Sequence, residues 1–221
     1  VDPATGIAKV QAGATSGDIV AAAQPHGLAL TTGDTASVGI GGLATGGGLG
    51  FLARKHGLTI DSLLSAEVVL ADGRIVTASR YQHPSLFWAI RGGGGNVGIV
   101  TVFTFQLARV ETVLGGALIL PATREVIRAY LEYTASAPDG LTALGNIMHA
   151  PPLPFIPENR VGEIVLVILA VWTGSIDQGE QAIAPLRALA EPLADLIHPM
   201  PYGDIFELTA HQNMPHSTSV R

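Results

Sequence analysis

The chain has 221 residues, 48% of them apolar and only 14% charged, so it can bury a sizeable core as one large domain or two small ones. A net charge of -6 and a pI near 5.6 lack the basic face of a nucleic-acid binder, and the scattered Arg and Lys form no polybasic patch for a membrane surface. The absence of cysteine excludes disulfides, thiolate nucleophiles and cysteine-ligated zinc within the chain, and no apolar run reaches the ~18–20 residues needed to span a bilayer.

Lys9 to Gly13 alternates like a short strand. Thr15 or Ser16 then stands where a helix through Ile19, Val20 and Ala23 would be capped, stopping near Pro25-His26-Gly27. From Gly33 to Gly50 run eighteen residues with eight glycines, GDTASVGIGGLATGGGLG, in which Val38, Ile40, Leu43 and Leu49 are interleaved. Ala66 to Leu70, a turn at Asp72-Gly73, and Arg74 to Ala78 read as a β-hairpin. His83-Pro84 opens a short helix through Ile90, which ends in a second glycine run, Gly92 to Gly95, followed by Asn96-Val97-Gly98. Ile99 to Leu107 reads as an apolar strand.

The character of the chain changes near Arg109-Val110, which places a domain boundary near 110. Beyond it the pattern predicts a strand at Leu118 to Leu120 and a helix from Thr123 to Ala137 with Val126, Ile127, Tyr130 and Leu131 on one face. A further strand, a proline-rich loop from Pro151 to Pro157, a buried strand from Ile164 to Trp172 and a helix from Gln178 to Ala190 complete the reading.

The two glycine clusters are the unusual features. Glycine lets a ligand approach the backbone without a Cβ in the way, and successive N–H groups pointing one way form a nest suited to a pyrophosphate. Gly39, Gly41 and Ala44 match G-x-G-x-x-G/A, with Asp61 and Glu67 roughly placed for a ribose acid. That pattern should follow an apolar strand, and Thr31 to Thr35 is not one. No Gly-Lys-Ser/Thr exists for a phosphate loop. Thr35 to Gly39 is one glycine short of a nucleophile elbow around Ser37. The seven histidines show no metal spacing; His26 and His56 each precede a glycine and read as element ends.

In sequence order, Gly33-Asp34-Thr35-Ala36-Ser37-Val38-Gly39-Ile40-Gly41-Gly42, Gly46-Gly47-Gly48-Leu49-Gly50, Arg54 to Asp61, Ala66 to Gly73 and His83 to Val100 together resemble the flavin-binding core of berberine-bridge-enzyme-like oxidases. These belong to the wider vanillyl-alcohol-oxidase or p-cresol-methylhydroxylase (PCMH) superfamily. The resemblance covers nearly all of residues 1–110. The second half is similar less distinctively, through Ala150-Pro151-Pro152, Gly174 and Pro199-Met200-Pro201-Tyr202.

The resemblance implies an α+β fold: the C-terminal portion of a PCMH-type FAD-binding domain over residues 1–110, then the N-terminal portion of an antiparallel-sheet substrate domain over 111–221. It implies an FAD-dependent oxidoreductase that takes a small-molecule substrate, with no nucleic-acid or membrane partner. The reaction implied is hydride transfer from a carbon bearing an alcohol or amine to flavin, with oxygen as acceptor; a dehydrogenase using another acceptor and a non-catalytic cofactor module stay open. Cofactor contacts are implied at Thr32, Gly33, Asp34, Thr35, Ser37, Val38, Gly39, Gly42, Gly46, Gly47, Gly48 and Gly50, and at Gly98, Ile99 and Val100. Thr35 stands where many relatives carry a flavin-linking cysteine, and Val38 where the family places a residue that gates oxygen.

By the same comparison the chain is an internal piece. An upstream loop with Arg and Gly-Gly-His, and a closing segment with Tyr and Asn near the flavin, are expected outside it, so the 221 residues alone are expected to bind FAD poorly. The catalytic base stays unassigned, with Tyr202, Glu207 and His211 expected in packing and surface roles.

Overall fold

The computed structural model describes residues 1–210, so His211, His216 and the remaining C-terminal positions lie outside the described residues. Two compact units divide the chain. The first takes in Val1–Glu111 and the described residues from 202 to 210, and the second is Thr112–Pro201.

The first unit contains β1 (Ile7–Gln11), α1 (Ser16–Ala23), β2 (Leu28–Ala29), α2 (Ile40–Thr45), α3 (Ala53–His56), β3 (Leu63–Val69), β4 (Ile75–Ser79), α4 (Pro84–Ile90), β5 (Ile99–Gln106) and β6 (Ala108–Arg109). Its main sheet has the order β1-β5-β3-β4 with every neighbour antiparallel. The β3–β4 hairpin turns at Asp72-Gly73, where Gly73 takes φ +83 and its N–H donates to Leu70 O at 2.9 Å. Local turn chemistry decides this element.

α1 begins as its sequence dictates. The Asp18 N–H donates to Thr15 Oγ1 at 3.2 Å, and the Thr15 N–H donates back to Asp18 Oδ2 at 2.8 Å, a reciprocal cap. The Thr15 N–H, and then the Thr15 hydroxyl donating to Asp18 Oδ2 at 2.8 Å, hold the exposed Asp18 carboxyl below its ordinary pKa. α1 and α2 supply Ile19, Ala23, Ile40 and Ala44 to the core formed by Val68, Phe103 and Phe105 on the sheet.

β5 carries a local irregularity that matters for the site. Val68 pairs with Val100 but Glu67 with Val102, so Thr101 is an extra residue on β5. The bulge brings Val100 and Phe103, three apart, onto the same buried side.

The second unit contains β7 (Thr112–Pro121), α5 (Arg124–Ser136), β8 (Leu141–His149), β9 (Ile164–Trp172), α6 (Ile176–Arg187), β10 (Ala194–Asp195) and β11 (His198–Pro201). β9 pairs antiparallel with β7 and β8, while β10 and β11 pair with β7. The helices pack on one face of this sheet, burying Val126 and Tyr130 from α5 and Ile183 and Leu186 from α6 over Leu118, Ile168 and Trp172.

The face expected of α5 is corrected in part. Val126 and Tyr130 are buried and Tyr133 packs beside them, but Ile127 is half-buried and Leu131 is 59% exposed. The 126, 130, 133, 137 series holds the centre of the face. Residues 127 and 131 each lie ~100° further round the helix. Among the described residues no helix is long and apolar enough to cross a membrane.

Candidate functional site

The glycine-rich segment is irregular until Gly39 and then forms the six-residue α2. It is held from three directions. On one flank, Ser16 N–H donates to Val38 O and Gly17 N–H to Ala36 O, both at 2.8 Å, while Ser16 Oγ donates to Thr32 O at 2.7 Å. On another, Thr59 N–H reaches Gly48 O at 2.9 Å and Ile60 N–H reaches Gly47 O at 3.0 Å, with the Thr59 hydroxyl bonded to Thr31 O. On the third, Gly92 N–H donates to Thr45 O at 3.0 Å, which joins the second glycine run to the end of α2.

Ala12 completes the assembly. Its N–H donates to Thr101 O at 2.9 Å, and its carbonyl accepts from Gly41 N–H at 3.1 Å. The residue freed by the β5 bulge therefore shares one anchor with α2. Residues 38–48, 92–97 and the start of β5 are thereby brought together, although nearly sixty residues separate the first from the last.

The glycines divide into two kinds. At some, the protein's own packing forbids a side chain. A Cβ on Gly50 would stand 2.5 Å from Gly33 N, and one on Gly98 would stand 2.7 Å from Val68 Cγ1 and 2.8 Å from Val69 O. Gly33, Gly47 and Gly48 lie at positive φ, and a Cβ on Gly48 would also meet the Thr59 side chain. Gly46 ends α2, with its N–H donating to Gly42 O.

At Gly39, Gly42 and Gly95, by contrast, an added Cβ meets nothing within 4 Å, and none of the three has a positive φ. Neither backbone conformation nor internal packing accounts for glycine there. Open surface at these positions, flanked by exposed Val38, Leu49, Val97 and Ile99, is a cradle that side chains would fill. A flat, elongated cofactor with a diphosphate fits such a surface.

The remaining expected contact positions fall as follows. Asp34 and Ser37 are exposed, and Thr35 is half-buried with its hydroxyl donating to Asp34 Oδ1 at 3.0 Å. Thr32 is fully buried. Ile99 is 70% exposed, whereas Val100 turns into the core because of the bulge at Thr101, leaving only its backbone for a ligand.

The Rossmann alternative loses its two acids and its strand. Asp61 Oδ2 accepts from Leu58 N–H at 2.9 Å and Oδ1 accepts from Arg91 at 3.1 Å, while Glu67 Oε1 accepts from the Thr101 hydroxyl. The residues entering α2 are irregular and the strands of the described residues pair antiparallel.

Sequence reasoning missed the parts played by Thr59, Phe206 and Thr209, while Tyr202 is packed and Glu207 exposed as expected. Tyr202 is 3% exposed, and Thr32 Oγ1, Tyr202 OH and His56 Nε2 are buried polar atoms without a closed hydrogen bond among the described residues. Burial raises the Tyr202 phenol far above its ordinary pKa, opposed by the neighbouring Thr32 hydroxyl. Burial, then Lys55, lowers His56. Glu207 is exposed. No local signal marks the Thr32–Tyr202 neighbourhood, since the two lie 170 positions apart.

The FAD binding domain family matches residues 1–79. The (R)-6-hydroxynicotine oxidase of Paenarthrobacter nicotinovorans is 33% identical over 211 residues, covering 95% of this chain and 45% of that protein. The crystal structure of 6-hydroxy-D-nicotine oxidase from Arthrobacter nicotinovorans superposes with a TM-score of 0.85 at 32% identity, over 98% of this chain and 47% of that one. The carbohydrate oxidase from Microdochium nivale, solved with a substrate analogue, gives 0.75 at 28% identity, over 97% and 44%. The chain thus spans about half the length of the relatives it matches. Residues 1–79 thus carry an FAD binding domain, with FAD as its cofactor, and over nearly its whole length the chain is similar to FAD-linked oxidases.

Proposed function

We propose that the protein is an FAD-dependent oxidase of a small alcohol, amine or sugar. Residues 1–110 contribute part of its FAD-binding domain, and the second unit opens its substrate domain. The observation that carries this reading is the open glycine surface at Gly39, Gly42 and Gly95, joined through Ala12 and Thr45. Bound FAD supplies the hydride acceptor and the route of electrons to oxygen. The chain's own part is to hold it: the backbone of Thr32 to Val38 and of Gly39 to Gly50 lies along the cofactor, with Gly98, Ile99 and Val100 bordering it. The oxidase names borne by its relatives support oxygen as acceptor.

The test is anaerobic reduction of the purified full-length flavoprotein with an amine, a secondary alcohol and a reducing oligosaccharide, followed by oxygen. Bleaching by one class and release of an equivalent of peroxide are expected. Reoxidation by a quinone but not by oxygen would mean a dehydrogenase, and no bleaching with any class would count against catalysis.

Two expectations concern this segment. Thr35 offers a hydroxyl where a thioether needs sulfur, so peptides covering 33–39 are expected to carry no flavin mass after acid denaturation and mass spectrometry; flavin found on them would refute this. Val38 is exposed beside the cradle. Val38→Leu should slow reoxidation by oxygen about tenfold, the effect of roughly 1.4 kcal/mol of added steric barrier, while sparing flavin reduction. Stopped-flow traces of the two half-reactions read both, and an unchanged oxidation rate would remove the gating role.

A further inference from the structure

The chain leaves the first unit at Glu111 and returns at Tyr202, whose N–H points to Glu111 O at 3.4 Å. The returning stretch settles on the glycine-rich segment. Thr209 Oγ1 donates to Asp34 O, across 175 positions of sequence. The Phe206 ring meets Phe51 edge-on, with centroids 6.3 Å apart, and the Tyr202 ring meets Phe206 edge-on at 5.7 Å. Phe51 and Tyr202 are almost wholly buried, as is Thr32 beside the Tyr202 hydroxyl. Contacts thus fall at the start, within and just beyond the span 32–50. The same span is also held by Ser16 and Gly17 at the start of α1.

We propose that Thr209 and Phe206 are positioning residues that brace residues 32–38 in the shape that receives the cofactor, a role that rests on the flavin reading above. Thr209 acts through the backbone of Asp34, so it fixes a peptide rather than touching the ligand. Phe206 sets the distance between this brace and the far end of the glycine-rich span by packing on Phe51. Residues 32–38 have few side chains of their own to hold them, because Asp34, Ala36, Ser37 and Val38 are exposed and Gly33 contributes no packing atoms beyond the backbone. A long-range brace supplies what local side chains cannot.

The experiment compares full-length wild type with Thr209→Val, Thr209→Ser and Phe206→Leu, reading amide hydrogen exchange by peptide and the rate of FAD release. In Thr209→Val, peptides covering 33–38 should exchange about tenfold faster, the scale of one buried hydrogen bond, and FAD should leave faster by a similar factor. Exchange in the β3–β4 hairpin should stay unchanged. Thr209→Ser, which keeps the donor, should restore wild-type exchange, and Phe206→Leu should loosen the same peptides.

Unchanged exchange at 33–38 in Thr209→Val would overturn the brace, as would an equal rise in the hairpin, which marks general destabilisation. Should the wild type hold no FAD, the flavin reading fails by itself. Exchange at 33–38 still decides whether Thr209 and Phe206 position the segment.

Discussion

Gly42→Phe is expected to weaken flavin binding about 100-fold while the polypeptide stays folded. Gly42 lies within α2, is exposed, and would give an added Cβ no neighbour within 4 Å. Alanine in a helix is more favourable than glycine by about 0.8–1 kcal/mol, so Gly42→Ala should leave the apoprotein as stable or slightly more so. A benzyl group in the same place occupies the surface assigned to the cofactor. Steric exclusion of this kind should weaken FAD binding by about 3 kcal/mol or more, a factor of roughly 100. The ratio of flavin absorbance to protein absorbance after purification measures occupancy, and far-ultraviolet circular dichroism checks the fold. Full yellow occupancy in Gly42→Phe would move the cofactor away from α2.

Gly50→Ala should do the reverse and damage the fold itself. Its Cβ would sit 2.5, 2.7 and 2.9 Å from the N, O and Cα of Gly33, all backbone atoms of a segment already tied by hydrogen bonds on either side. No side chain can rotate away. The span must open, at a cost of about 3 kcal/mol by the scale of overpacked interiors. For a chain of this size that lowers the melting temperature of the transition by roughly 6–12 °C. Gly39→Ala is the matched control, since its φ of -72 suits any residue and its Cβ meets nothing. It should melt within about 0.5 kcal/mol of wild type. Equal melting of Gly50→Ala and Gly39→Ala would refute the division of the glycines into packed and open kinds.

Elements decided by short-range chemistry were legible. The hairpin around Asp72-Gly73, the Thr15 cap, the Pro84 helix start and the apolar run of β9 each depend on neighbours within a few residues. The face of α5 was legible only in part, because Ile127 and Leu131 follow Val126 and Tyr130 directly, and periodicity does not say which of two adjacent stripes meets the sheet. The bulge at Thr101 left no mark in IVTVFTFQL, yet it turns Val100 inward and frees the Thr101 carbonyl for Ala12.

The sequence by itself determined the fold class and the cofactor through the resemblance that runs such as GDTASVGIGG and GGGGNVG carry. It also determined where two glycine clusters lie along the chain. Only the tertiary structure decided which glycines are closed by the protein and which stay open, since the atoms that fill or vacate the space beside a Cα come from elsewhere. Gly33 closes Gly50, Val68 closes Gly98, and no residue closes Gly42. The attachment of Thr209 to Asp34 belongs to the same class. A hydrogen bond spanning 175 positions leaves no local pattern, because hydropathy and turn chemistry record only what neighbours in sequence do to one another.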